Sequence, residues 1–413
     1  MYLGKYITMA TNTKKILILG NGFDLDLGRK TSYANFYNSE HCPKDYPAPI
    51  IKHLNEKWNN NLESVKWYDL ENEILNYYEK IKALGGNYDL YNANERKIIL
   101  QIKQLPTHTS YPIIQDNIDV VNRLLKDHVL HIKQDNITNE ETLSGYVLVH
   151  SDALLSPVER DKKAVKLIKE GLIEYLKGIE RAETNYNSVA MMVVRTFLYN
   201  YRDIADYIVY SFNYMDLFHK DEKMVTKLFN SITKFVHGSI KNNDIIIGTK
   251  DYEISPAYDF IQKSFDMQFN PPAIVDDLSE ADDVTFFGHS LGVNDSQYLK
   301  SFFMEQASIT AKRKNITFFT RDNESELQLK RELQKMTNWN FSQLCTKNNI
   351  QFIKTIDSAE CNEQIRIYVN RFCSDGYDIQ RIIYGENYAY MLNMRIDNLK
   401  RNRSVSISEN WGF

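Results

Sequence analysis

Four consecutive apolar residues, Ile16 to Leu19, run directly into Gly20-Asn21-Gly22. So short and unbroken an apolar run suits a strand buried on both faces, as in a parallel sheet. Glycines at its end let the chain turn sharply and let another group approach the backbone closely. A strand, a Gly-x-Gly turn and a helix-compatible segment open a βα unit of the kind that binds nucleotides. The third glycine is Gly28, so the pattern is G-x-G-x-x-x-x-x-G and not the G-x-G-x-x-G of dehydrogenases. Alone, the stretch leaves two readings open: a nucleotide-binding turn, or a βα turn with two glycines of its own.

Further short apolar segments repeat the first. They are Tyr207–Phe212, Asp244–Gly248, Asp283–Gly288, Asn315–Thr320 and Ile350–Ile356, each rich in β-branched or aromatic residues. Helical patterns separate them, at Tyr298–Lys312 and Asn323–Lys335, the latter with Glu324 and Glu326 in its first turn. Alternating strands and helices predict an α/β fold built on a doubly wound parallel sheet. Between about 40 and 200 the texture changes to apolar residues at three- and four-residue spacing. The helices expected there are Leu62–Leu84, Leu90–Leu105, Ile118–Lys133 and Ala164–Glu183. The expected organisation is a leader (1–13), a first βα unit (14–40), an all-helical insertion (41–203), the rest of the sheet domain (204–380) and a C-terminal helix and tail (381–413). The tail helix is expected over Ile382–Arg403, and Met9 is an alternative start.

Composition narrows the function classes. A net charge of −4 over 413 residues gives no general attraction for nucleic acid or anionic membrane. No apolar run approaches the roughly 20 residues needed to span a bilayer, and Met1 to Thr13 lacks the apolar core of a secretory signal. The cysteines, Cys42, Cys345, Cys361 and Cys373, form no C-x-x-C, and no histidine follows His289. Free thiols in a cytoplasmic protein and no metal centre are the expectation.

In doubly wound sheets ligands bind at the carboxyl ends of strands. Polar residues gather at those positions. Gly20, Asn21, Gly22, Phe23 and Asp24 follow the first strand, and Asn213, Tyr214 and Asp216 follow the second. His237-Gly238-Ser239 follows an apolar stretch at Lys234–Val236, and Gly288, His289, Ser290 and Asp295 follow DVTFF. His237 is the candidate for proton transfer, because an imidazole changes charge near neutrality. Gly288 to Gly292 also matches G-x-S-x-G, the nucleophile elbow of α/β-hydrolases, but that triad needs a histidine after the serine and none exists.

KILILGNGFDLDLGRKTSYANF, with SFNYMDLF, KFVHGSI and FFGHSLGVNDSQYL, resembles the AbiH family of bacterial abortive-infection proteins. That resemblance implies phage defence by shutdown of the infected cell. The spacing of Gly20, Gly22 and Gly28, followed in order by Asn213, His237-Gly238 and Gly288-His289-Ser290, is also similar to sirtuin-like NAD-binding domains. The second resemblance implies a Rossmann-like, sirtuin-like sheet with NAD at its carboxyl edge. It would set the Gly20 loop at the pyrophosphate and nicotinamide ribose, Asn213 at ribose or water, His237 as base, and Gly288 and Ser290 at the adenosine ribose. Asp216 stands one residue further from Asn213 than the sirtuin acid, and the sirtuin zinc cysteines are missing.

The expected function is an antiphage effector that cleaves the nicotinamide–ribose bond of NAD, with Asn213 and His237 catalytic. Asn21, Phe23, Asp24, Tyr214, Asp216, Gly238 and His289 join the glycines and Ser290 in the nucleotide site. NAD enters as substrate or ligand, with no separate cofactor. The expected partners are NAD or a related nucleotide and a phage-derived trigger; homo-oligomerisation is left open. The alternatives are a nucleotide-binding sensor without hydrolysis, and a Mg²⁺-dependent nuclease toxin using Asp24 and Asp26.

Overall fold

The computed structural model describes residues 14–60, 69–84, 91–104, 117–134, 145–180, 185, 188–199, 206–218, 220, 222–356, 359–373 and 375–384. The expected leader and most of the expected tail helix lie outside these residues. The eight described strands are β1 (Lys15–Leu19), β2 (Leu130–Gln134), β3 (Gly145–Val149), β4 (Tyr207–Ser211), β5 (Thr233–Phe235), β6 (Asp283–Phe287), β7 (Asn315–Thr320) and β8 (Asn349–Lys354). The protein is mixed α/β. Six strands form one sheet in the order β5-β4-β1-β6-β7-β8, and neighbouring strands in it pair in parallel. From β1 the chain steps outward to β4 and β5, then returns to the other side of β1 for β6, β7 and β8.

The described residues form two compact units. One holds residues up to Thr31, Leu176–Ile245 and Asn270 onward, and contains the six-stranded sheet. Ile16, Leu17 and Ile18 in β1 are fully buried. Leu17 and Leu19 join one apolar cluster with the helices Val189–Leu198 and Ala359–Phe372. Ile16 and Ile18 join another with Ile274–Glu280, Ser296–Gln306 and Asn323–Met336. Alternating side chains of a strand point to opposite faces, so an unbroken apolar run is what burial on both faces requires.

The other unit holds Ser32–Tyr175 and Ile246–Phe269. Helices dominate it, but it is not all-helical: β2 and β3 pair antiparallel, Leu130 opposite Val149. The helix expected over Ile118–Lys133 stops at Lys126. His128 takes a left-handed φ of 56°, and the amides of His128 and Val129 close back on Leu125 and Leu124. That is a Schellman stop without its usual glycine, so no local residue type announces it.

One expected strand is absent. Asp244–Gly248 forms no ladder, although Ile245, Ile246 and Ile247 are buried. Asp244 Oδ1 accepts the Ser239 amide at 2.7 Å, and only an isolated bridge, Thr249 to Gln262, follows. An apolar run signals burial but not a strand partner. The short β5 was foreseen only as an apolar stretch ahead of His237.

Candidate functional site at the carboxyl edge of the sheet

Strand register assembles the site. Leu19 lies opposite both Ser211 and Phe287, and Ser211 lies opposite Phe235. Four strands therefore end level, and the loops beginning at Gly20, Phe212, Val236 and Gly288 leave from one edge. They flank β1, where the strand order reverses.

The glycines pack against one another. A Cβ on Gly288 would lie 2.4 Å from Gly22 Cα, and one on Gly20 would lie 2.5 Å from His289 Cα. The Gly20 amide donates to Phe287 O, the Gly22 amide to Gly288 O, each at 3.0 Å, and the Phe23 amide to Gly20 O at 2.9 Å. Close approach is thus their role, and the approaching group is the neighbouring loop. Gly28 serves otherwise. It follows the short helix Asn21–Asp26 at φ 85°, its amide donates to Leu25 O and that of Arg29 to Asp24 O. This is a glycine helix stop, and its place in the spacing comes from the length of the helix.

Asn213 is buried, and its side-chain amide donates to Gly20 O at 3.0 Å, pinning the loop after β1 to the loop after β4. Asp24 is buried in an ion pair with Arg29 at 2.9 Å, and Arg29 also donates to Asp216 O at 3.0 Å. Burial pushes the Asp24 carboxyl up, with the Arg29 guanidinium opposing the shift. Asp26 accepts the Ala190 amide at 2.7 Å at the start of Val189–Leu198, and burial raises its carboxyl too. The two acids proposed as metal ligands are thus committed to separate structural partners. Among the described residues no group of three or more His, Cys, Asp or Glu side chains is placed to hold a metal ion.

The remaining candidates separate. Asn21 accepts from the Thr31 hydroxyl at 2.6 Å, Tyr214 O accepts the Ile240 amide at 2.9 Å, and Asp216 lies 3.4 Å from Lys241 Nζ. Gly238 has φ 72°, and a Cβ there would meet Asp244 O at 2.0 Å. Ser290 is exposed. Phe23 is buried between Phe229 and Phe287 as a core residue.

His237 and His289, 52 residues apart in sequence, meet around one carboxylate. His237 Nε2 lies 3.4 Å from Asp295 Oδ1, and His289 Nε2 lies 3.7 Å from Asp295 Oδ2. Both histidines are buried, and both pack edge-on against Phe212, with ring centroids at 5.3 and 4.4 Å. His289 Nδ1 accepts the Leu291 amide at 3.0 Å. Leu291 is fully buried at φ 54°, a conformation costly for a branched side chain. Asp295 precedes Ser296–Gln306 in the N-cap position, yet its side chain makes no capping hydrogen bond there. Sequence reading placed Asp295 among the strand-end polar residues without a role, since an acid before a helix reads as a cap.

The fold and site define an α/β protein with a buried histidine–carboxylate group at the carboxyl edge of a parallel sheet. Residues 16–320 match the family model described as bacteriophage abortive infection AbiH. The chain belongs to that family, and the match takes in all four loops of the site. No curated protein and no solved structure is found to match it. No helix among the described residues is long and apolar enough to cross a membrane.

Proposed function

We propose that this abortive-infection protein binds NAD at the carboxyl edge beside β1 and hydrolyses its nicotinamide–ribose bond, with His237 as the proton-transfer group. The carrying observation is the convergence of the Gly20, Asn213, His237 and His289 loops where the strand order reverses. In open α/β sheets that reversal is where nucleotides bind, and counting only the strands of this sheet the order is 3-2-1-4-5-6, that of dinucleotide-binding folds. The succession of Gly-x-Gly, Asn213, His237-Gly238 and Gly288-x-Ser290 adds support, being similar to that of sirtuin-like domains.

The chemistry needs little. The C1′–N1 bond of the ribose breaks as water oxygen bonds C1′, nicotinamide departs as a neutral base, and the water proton passes to His237. The products are nicotinamide and ADP-ribose. Catalysis of this reaction rests on holding the ribose and stabilising an oxocarbenium-like state. Asn213 acts here mainly by holding the Gly20 loop, since its side-chain nitrogen is already given to Gly20 O. The crevice lined by Leu19, Asp24, Asn213, Met215 and Phe235 has room for little more than a water molecule, far less than the roughly 300–1,000 Å³ of ligand pockets. On this reading the resting protein is closed, and infection opens it.

The test is nicotinamide release from NAD by purified protein, together with NAD content in phage-infected cells. Wild type is expected to deplete NAD, and His237→Ala to preserve it. Cell death with NAD intact would overturn the reading. A second reading, nucleotide binding without cleavage, is favoured by Asn213, whose side-chain nitrogen is given to Gly20 O and not to a ribose or water. Saturable NAD binding by wild type with no nicotinamide released would select it.

A further inference from the structure

We propose that Asp295 is the positioning residue of this site: its carboxylate orients and charges His237, while His289 is locked beside it as a neutral imidazole. The proposal rests on His237 being the group that moves a proton, as argued above. Three observations carry it. Each oxygen of Asp295 faces a different imidazole, His237 Nε2 at 3.4 Å and His289 Nε2 at 3.7 Å. Asp295 ends the 3-10 turn Val293–Asp295 with helical backbone angles, and its side chain makes no capping bond to the first turn of Ser296–Gln306. His289 accepts the Leu291 amide through Nδ1. A nitrogen that accepts an N–H carries no proton, so His289 is the Nε2–H tautomer, with Nε2 3.7 Å from Asp295 Oδ2 and outside hydrogen-bond reach. Protonating Nδ1 would break that bond inside a turn held by the buried, left-handed Leu291.

The two histidines are therefore not equivalent. His289 stands beside Asp295 as a fixed neutral imidazole, and His237 is the imidazole nearer the negative charge. Groups facing His237 include Asp295 just before the helix Ser296–Gln306, Tyr298 within it, with its ring centroid at 5.7 Å, and Phe212 from the end of β4, while His289 from the loop after β6 faces the same carboxylate. An opposite charge within about 4–6 Å favours the charged form. Removing that charge disfavours charged His237, whereas removing neutral His289 leaves the charge in place.

Histidine NMR titration of the full chain tests this without any substrate, with His237→Ala identifying the resonance. In Asp295→Asn the pH midpoint of His237 is expected to fall by about one unit or more. In His289→Asn, whose side-chain oxygen can still accept the Leu291 amide, the midpoint is expected to move far less than in Asp295→Asn. Asp295→Glu, which keeps the charge, is expected to restore most of the wild-type midpoint. Wild-type His289 is expected to keep an unprotonated Nδ1 through the titration of His237. Midpoints unmoved in Asp295→Asn, or moved as far by His289→Asn, would overturn the proposal and leave Asp295 a packing residue. With NAD as substrate, Asp295→Asn is expected to lower kcat about tenfold or more and leave KM within about twofold. If the protein does not cleave NAD, the function proposed above fails while the titration still decides the role of Asp295.

Discussion

Gly288 shows what a single missing side chain can hold open. At φ 61° an alanine there would carry left-handed strain, and its Cβ would lie 2.4 Å from Gly22 Cα and 2.6 Å from Phe23 N. Backbone cannot swing aside as a flexible side chain can. Gly288→Ala is therefore expected to destabilise the protein by roughly 3 kcal/mol or more, combining αL strain with overpacking. Denaturant unfolding measures it, and a loss below about 1 kcal/mol would show that the two loops can separate cheaply. The glycines were legible in the sequence as points of close approach. What approaches was not, because Gly288 is more than 250 positions from Gly22 in the chain. His237 was legible by its place after an apolar stretch. Its partner Asp295 was hidden by the commoner meaning of an acid before a helix.

At the scale of elements, three helices end in the same way with different residues. Gly28, His128 and Asn338 each take left-handed φ one residue past a C-cap, and in each case two amides close back on the last turn. Only the first is marked by glycine, the residue with no Cβ to strain. The boundary at Gly28 could thus be read locally, while the helix before His128 was drawn too long and the β2–β3 hairpin behind it missed. Nothing lies within 4 Å of a Cβ built on Gly28. Gly28→Ala should thus cost only the conformational penalty, about 1 kcal/mol, against the larger loss at Gly288. Equal losses at the two glycines in the same unfolding assay would contradict the division between a helix stop and a loop contact.

For the whole molecule, the sheet was the legible part, because strands buried on both faces write themselves as continuous apolar runs. The helical unit is held by buried polar groups that follow no such period. Arg160 and Asp161 are fully buried there. Arg160 donates to Pro47 O at 3.1 Å and to the Tyr91 hydroxyl at 2.8 Å. Asp161 accepts the Ile50 amide at 2.9 Å and the Tyr77 hydroxyl at 2.5 Å. Burial pushes the Asp161 carboxyl up to about 7, against the opposing pull of those hydrogen bonds and of Arg160. The folded chain thus keeps a proton that the unfolded chain, with a carboxyl near its ordinary value of 3.8, has released. Between those two values the native state binds more protons, so the contribution of Asp161 to stability falls as pH rises. It is greatest below about pH 4, declines up to about pH 7 and changes little beyond. Asp161→Asn removes the titration and keeps an oxygen to accept the Ile50 amide. Relative to wild type, the variant is therefore expected to gain stability from pH 5 to about pH 7 and to level off towards pH 8, as read from unfolding midpoints of both proteins across that range. The comparison cancels every other titrating group, Asp24 and Asp283 included, whose carboxyls burial also raises. A difference between variant and wild type that stays constant with pH would mean that Asp161 is ionised throughout, its charge stabilised in place by Arg160 and Tyr77.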